Sequence, residues 1–524
     1  MDTPEPKRDN LKPPPPIAKT ETSLPTELDQ INTITEGPDL PASLSRPALR
    51  GGMIIGSAQL IRIGLQFVSV VALSRLLTPQ DFGLVACVTP VITFVSLFQD
   101  LGYGQAIVQR REISNDQISS IFWVTVALGL ASALVAAIFS PAVAWFFHDG
   151  RLVLLTISAS ISLLFGSLAA VPSGLLNRRL HYRGLAVTDA VAAASALICA
   201  IVSALLGARY WSLIIAAVAA NFLTAVGYWT FARWKPNRPS TKFVDREIGL
   251  FGANLTGFTF VNYFSRNLDN VLIGRNLGTL ALGYYDRAFK LLSFPIQHLN
   301  APLYSVMTPL LSRVQDDKPR FRAMFLRAAG QLTLFVVPVM AALVSVSHDF
   351  VALAFGPRWE LVAPIFFYLG IVGMVQPLTN ATGWILIAQG RTDVMFRLGI
   401  VTSLITVGSF FVGLHFGGAV GLAAAYAVAE ALLKAPIQYV TLHRVGPVTA
   451  GDLCRLQLPL LLAAGVTLAF VNFVLNGIFG LHGIPLIASA LAFSCASAIL
   501  VTAVRPQGRG ILLETCMLFR RLFQ

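Results

Sequence analysis

Charge is scarce in this chain. Asp, Glu, Lys and Arg together make up 12% of its residues, about half the share of an ordinary soluble domain. That excludes a water-soluble globular fold, and the high apolar content excludes disorder over most of the length. Cysteine is scarce too. Cys87, Cys199, Cys454, Cys495 and Cys516 are scattered with no CxxC pair, so neither a disulfide framework nor a zinc site is legible. Enzyme signatures are missing. There is no G-x-x-x-x-G-K-[ST] loop and no HExxH, and the adjacent Asp316-Asp317 lack the spacing of a metal–sugar-nucleotide motif. No cofactor, metal or catalytic residue is expected. The first apolar run is not preceded at once by the basic segment of a signal peptide, so it reads as an internal start retained in the mature protein.

What is present is apolar. Hydrophobic residues form 55% of 524, enough for roughly 14 helical spans at about 20 residues each. Unbroken apolar runs, rather than alternation over about 10 residues, argue against a β-barrel. Fourteen segments emerge, at 53–74, 82–101, 118–140, 152–176, 185–207, 210–232, 248–273, 281–311, 324–346, 361–389, 395–414, 418–442, 456–476 and 484–504. Turn chemistry punctuates them: Thr78-Pro79-Gln80-Asp81, His148-Asp149-Gly150, Gly356-Pro357 and Gly417-Gly418. Residues 1–50 differ, with Pro13-Pro14-Pro15-Pro16 among polar residues, and read as a disordered cytoplasmic tail. Beyond Arg505, the stretch Ile511–Phe523 with Arg520 and Arg521 reads as a short interfacial helix.

The net charge of +13 could suggest nucleic acid, but its distribution points elsewhere. With the N-terminus in the cytoplasm, the cytoplasmic connections gather Arg178, Arg179 and Arg183, then Arg233, Lys235, Arg238, Lys242 and Arg246, then Arg313, Lys318, Arg320 and Arg322. The opposite loops hold only Arg75, Arg151, Arg209, Arg275 and Arg358. This is the bias of multi-pass membrane proteins with both termini inside, and a nucleic-acid partner is set aside.

A motif recurs at a separation of 200 residues: Arg75, Leu77 and Gly83 match Arg275, Leu277 and Gly283. Polar residues agree as well: Gln59, Arg62, Gln66 and Ser69 lie on one helical face of the first span, and Thr259, Asn262, Arg266 and Asp269 on the equivalent face of the seventh. Six spans intervene, an even number, so the halves share an orientation and form parallel repeats about an axis normal to the membrane. The predicted organisation is a tail (1–50), a six-span lobe (51–234), a cytoplasmic linker (235–247), a second six-span lobe (248–444), two appended spans (445–504) and a cytoplasmic tail (505–524). The fold class expected is an all-α integral membrane protein of about 14 helices, with the two lobes around a central cavity.

Several patches resemble a known family. Ser74-Arg75-Leu76-Leu77-Thr78-Pro79-Gln80-Asp81-Phe82-Gly83, Asp100-Leu101-Gly102-Tyr103-Gly104 with Ala106–Arg110, Asn267–Arg275 and Leu282-Gly283-Tyr284-Tyr285 resemble, in order, the Wzx-type polysaccharide flippases. These belong to the multidrug/oligosaccharidyl-lipid/polysaccharide exporter superfamily. The resemblance covers about residues 50–445 and is closest to the long subgroup serving exopolysaccharide export; the proline-rich tail departs from its pattern. It implies translocation of undecaprenyl-pyrophosphate-linked oligosaccharide repeats across a bacterial inner membrane, for exopolysaccharide or lipopolysaccharide biosynthesis. It further implies alternating access, coupling to an ion gradient or membrane potential, and partnership with polysaccharide polymerase and export machinery.

Charges inside spans usually face a cavity or a partner. Arg62, Arg266, Arg287 and Lys290 are candidate cations for a pyrophosphate headgroup, which guanidinium grips with two hydrogen bonds. Alternatively Arg266 pairs with Asp269 at i, i+3, and Arg287 and Lys290 snorkel to an interface. Gln66, Asn262, Asp269, Asn270, Gln297 and Asn300 supply donors and acceptors suited to sugars, or bond between helices. Glu430 and Lys434 at i, i+4 form a structural pair or a proton or cation site, and Asp189 is the other candidate for ion coupling, unless it sits at the cytoplasmic interface. Asp100 reads as a cap or loop salt bridge, and Gly417 and Gly421 as a close-packing pair. Two other functions compete. An exporter of cationic drugs would want an acid-rich cavity, and a polysaccharide polymerase usually carries a large periplasmic loop, whereas the far-side connections here are short.

Overall fold

The computed structural model describes residues 59, 62–98, 107–108, 113–238, 246–504, 508–510 and 512, without the side chains of 246–262, 264–266 and 301. The N-terminal tail, Asp100, linker residues 239–245 and most of the expected interfacial helix lie outside the described residues.

Among the described residues the chain is helical throughout, with no strand. We number the helices α1 (62–76), α2 (Pro79–Ser96), α3 (Asn115–Ile138), α4 (Ser140–Phe147), α5 (Leu152–Arg178), α6 (Tyr182–Leu205), α7 (Trp211–Ala232), α8 (Arg246–Arg313), α9 (Lys318–Ser345), α10 (Ser347–Ala354), α11 (Val362–Ala388), α12 (Thr392–Val428), α13 (Ala435–Val445), α14 (Ala450–Phe470) and α15 (Ile484–Ala503). Ten are long and apolar enough to cross a membrane when α12 and α13 are taken as one. Two long elements are broken by glycine. Gly278, at φ 81°, divides α8 into two arms, and Gly417-Gly418 divides α12, Gly418 having φ 58°. Positive φ is what glycine tolerates and other residues resist. With those breaks every predicted apolar segment has its helix. The arms of α8 are not among the ten; besides Asp269, Asp286, Arg287 and Lys290 they carry Asn254, Asn262, Gln297, His298 and Asn300, which lower their hydropathy.

Local signals explain where helices start. Thr78 forms a capping box with Asp81: its backbone N–H donates to Asp81 Oδ2 at 2.9 Å, and Asp81 N–H donates to Thr78 Oγ1 at 3.3 Å. Ser114 with Gln117 and Thr449 with Asp452 repeat the device. Two connections expected as loops, those after α3 and α9, carry eight-residue helices instead, α4 and α10. Eight residues reach about 12 Å, too short to register as a span.

Glycine also sets two close approaches. A Cβ on Gly83 would lie 1.6 Å from Thr279 O, and one on Gly283 would lie 1.8 Å from Pro79 O. In α12 the close pair is Gly413 and Gly421, each of whose Cβ would lie 2.4 Å from the other's carbonyl oxygen. The expectation for Gly417 is therefore corrected: it lies in the turn, with nothing near its Cβ position, while Gly413 makes the contact.

The largest buried cluster runs through α2, α8, α9 and α11 and includes Trp359, Trp384, Phe321, Phe325 and Phe366. The appended helices α14 and α15 pack on α9. Arg322 Nε donates to Asp452 Oδ2 at 2.7 Å, and Ser494 Oγ donates to Pro338 O at 2.9 Å.

Candidate functional site

α1 carries Arg62 on its first described turn, and α6 presents Asp189. Arg62 Nη1 lies 3.7 Å from Asp189 Oδ2, with both side chains partly open. Tyr228 of α7 fixes the carboxylate from behind, its hydroxyl donating to Oδ1 at 2.6 Å. A pocket of about 280 Å³ opens here, lined by Gln59, Arg62, Tyr182 and Asp189 with Leu185, Ala186 and Ala190. Arg62 and Asp189, predicted for separate roles, thus meet. Tyr228 was not foreseen; its approach depends on how α6 packs on α7.

α1 is also stitched to the second arm of α8. Gln59 and Gln66 are two turns apart and share a face. His298 stands between them, with Nε2 3.2 Å from Gln66 Oε1 and Nδ1 3.4 Å from Gln59 Nε2. Because a glutamine oxygen accepts and its amide nitrogen donates, this geometry suits a ring protonated on Nε2. Phe294 extends the seam, 6.0 Å from Phe67 and 4.9 Å from His298.

The polar cluster of α8 is more closed than expected. Asp269 is buried and accepts from Tyr285 Oη at 2.9 Å and from Asn270 N–H at 2.8 Å. Arg287 is also buried. It lies 3.1 Å from Asp286 Oδ2, with its guanidinium 3.8 Å from the centre of the Phe82 ring. Lys290 Nζ reaches the same oxygen at 3.0 Å, and its side chain is half exposed. Asp286 was overlooked in favour of the cations beside it, although Asp286 and Lys290 stand at the i, i+4 spacing of a helical pair. Gln297 is exposed, while Asn270 Oδ1 and Asn300 Oδ1 are buried acceptors without a hydrogen-bond partner. Arg266 and Asn262 lie on the first arm of α8, and their side chains fall outside the described residues.

A third cluster sits between α11 and the end of α12. Glu430 is buried in a π-turn, Ala429–Lys434, and meets Lys434 Nζ at 2.5 Å. Thr379 Oγ1 donates to its other oxygen at 3.2 Å. Thr382 donates to Gln438 at 3.3 Å beside a pocket of about 230 Å³ that also touches Asn380. Among the described residues no group of three or more His, Cys, Asp or Glu is placed to hold a metal ion.

The family described as "Polysaccharide biosynthesis protein" matches residues 72–364. The chain is 26% identical to the lipopolysaccharide biosynthesis protein WzxC of Escherichia coli (strain K12), over 72% of this chain and 78% of that protein. Among solved structures it is similar to the lipid II flippase MurJ in an inward closed conformation. The TM-score is 0.69 at 12% identity, covering 86% of this chain and 98% of that one. It is also similar to a multidrug resistance MATE family transporter of the MOP superfamily in an inward-facing conformation, with a TM-score of 0.57 at 15% identity over 77% of this chain and 99% of that one.

Proposed function

Because the chain belongs to the polysaccharide biosynthesis protein family, a Wzx-type branch of the exporter superfamily that includes MurJ and the MATE transporters, we propose that it is a flippase for undecaprenyl-pyrophosphate-linked oligosaccharides. It would move repeat units from the inner to the outer leaflet of a bacterial cytoplasmic membrane by alternating access, with both termini on the cytoplasmic side. The protein is a multi-pass membrane transporter rather than an enzyme, and the relatives reported above are named for lipopolysaccharide biosynthesis, lipid II flipping and multidrug transport.

The observation that carries the substrate reading is the pocket at Arg62. Its guanidinium is held at 3.7 Å by Asp189, beyond hydrogen-bond distance, and stays 47% exposed, so its donors are open to a diphosphate that would accept charge-assisted hydrogen bonds. Asp189 and Tyr228 place the cation without consuming it. The unpartnered oxygens of Asn270 and Asn300 are acceptors of the kind that sugar hydroxyls satisfy. Arg287 serves differently: locked on Asp286 and Phe82, it builds the wall of the path. Arg266 remains a second candidate cation.

The organisation into two six-span lobes, 51–234 and 248–444, with 445–504 appended, is part of this reading. The repeated glycines at 83 and 283 support it. Ion coupling is assigned to Asp189 or Glu430, the carboxylates already paired with a cation. A drug exporter is less well supported, since among the described candidate residues each acidic group has a basic or hydroxyl partner. Deletion of the gene in its host tests the function. Lipid-linked repeats should accumulate on the cytoplasmic face and surface polysaccharide should fall; unchanged polysaccharide with no accumulation rejects the flippase.

A further inference from the structure

The repeated motif comes together at one place. Pro79 to Gly83 at the start of α2 lies against Thr279 to Gly283 at the start of the second arm of α8. The contact is reciprocal. Gly83 faces the carbonyl of the residue four before Gly283, and Gly283 faces the carbonyl of the residue four before Gly83. Each glycine lies about 3.1 Å, measured from a built Cβ, from the other's amide nitrogen. No other residue type permits backbones so near.

The arginines of the motif are reciprocal as well. Arg75, at the end of α1, donates from Nε to Ala354 O at 3.2 Å and from Nη2 to Leu353 O. Those are the last carbonyls of α10, in the second half. Arg275, at the end of the first arm of α8, donates to Phe146 O at 2.7 Å and abuts His148. That is the end of α4, in the first half. Each half thus supplies an arginine to cap the negative C-terminal end of the other half's short helix, where a cation is favoured. Trp359 adds a link, donating from Nε1 to Ser74 O at 2.7 Å and meeting the Phe82 ring edge-on at 5.4 Å.

We propose that this assembly is a latch that holds the far side of the transport path shut, with Arg75 and Arg275 as its two catches. It deepens the transport reading and rests on that reading for its consequence in export. The glycine seam has no side chain to bend, so it is either closed or parted. Parting it requires both arginines to leave their carbonyls. Because the catches lie on outer ends of helices, water or an incoming ligand can replace their hydrogen bonds without unfolding any span. Opening thus becomes a two-state event rather than a gradual widening.

The chain contains its own reporter. Cys87 is one turn after Gly83, on the same helical face, and is fully buried. In a protein whose other cysteines are replaced (Cys199→Ser, Cys454→Ser, Cys495→Ala, Cys516→Ser), intact cells are treated with a membrane-impermeant maleimide. Arg75→Ala with Arg275→Ala should raise the labelling rate of Cys87 at least tenfold. Each single change should raise it less, Arg75→Lys should stay near the parent, and Arg75→Glu should exceed Arg75→Ala, because a carboxylate repels the carbonyl ends. Variants are compared at equal membrane abundance, and a variant that fails to accumulate is replaced by the Lys and Glu pair, which keeps side-chain bulk. Equal labelling across the series overturns the latch. Faster labelling in a host whose polysaccharide does not depend on the chain would keep the latch and remove the flippase reading, so the two failures are distinguishable.

Discussion

Two ion pairs, one on each side of the Gly83–Gly283 contact in sequence, are held in opposite ways. In the first half Arg62 and Asp189 are 47% and 36% exposed and stand 3.7 Å apart. In the second half Lys434 and Glu430 are 12% and 2% exposed and touch, with Thr379 completing the carboxylate's shell. A loose, open pair can exchange one partner for a ligand at small cost. A sealed pair cannot, because either charge left alone in hydrocarbon or protein interior is costly. The proposed halves share a sequence motif, yet the pair in one is open to a ligand and the pair in the other is sealed. The difference is local to the pairs: the membrane-crossing window of the span that carries Glu430 and Lys434 is itself only 17% buried, whereas that of α11, which supplies Thr379, is 72% buried.

The largest effect should come from the sealed pair. Glu430→Ala strands the Lys434 ammonium, and removing one partner of a buried pair costs about 3–5 kcal/mol. Thermal unfolding of the detergent-purified protein should show a marked fall in Tm, while Glu430→Gln with Lys434→Met should recover most of it. An unchanged Tm for Glu430→Ala would show that the two pairs are alike after all. Next comes the open pair. Arg62→Ala should weaken binding of a polyprenyl-pyrophosphate analogue about 10- to 100-fold, the worth of one charge-assisted bond, with Tm nearly unchanged and partial retention in Arg62→Lys. A large Tm loss in Arg62→Ala would place this pair with the fastenings.

Orientation underlies both expectations. A cysteine placed at Asp149 should be labelled from outside intact cells, and one at Asp317 only after permeabilisation; labelling of both from one side would undo the assignment of near and far faces. The smallest effect concerns the loop pair at Asp149, whose carboxyl is held below the usual aspartate range mainly by its hydrogen bond from Arg151. Such a depressed group adds stability above the ordinary aspartate pKa of about 3.9 and loses it as pH falls through the folded value. Asp149→Asn should therefore show a slight, constant deficit from pH 8 to about 5, closing in stronger acid. A deficit that grows toward acid would reverse the sign.

Much of this was legible in the residues. Apolar runs located each of the ten membrane-length helices found among the described residues, and Thr78-Pro79-Gln80-Asp81 marked a helix start that the capping box bears out. The separation of 200 residues between Gly83 and Gly283 placed the two sides of a contact without revealing that they touch each other. The site was less legible for physical reasons. Tyr228 reaches Asp189 from 39 residues away, and His298 reaches Gln59 from 239; no local periodicity encodes either. Asp286 is visible in the sequence, one residue before Arg287 and four before Lys290, but only the packing shows that it neutralises both. Short helices such as α4 and α10 lack the length that makes a span stand out.

The packing of α14 and α15 on α9 bears on how the protein is made. Synthesis proceeds from the N-terminus, so α9 enters the membrane while Ser494, which will bond Pro338 O, is more than 150 residues from being joined to the chain. Through that interval its outer face is solvated by lipid, and Arg322 waits for Asp452. The second half reaches its final packing only after α14 and α15 have been made, whereas α3 to α7 can settle long before. Loss of the last two helices would thus injure not the tail of the molecule but the centre of its second half.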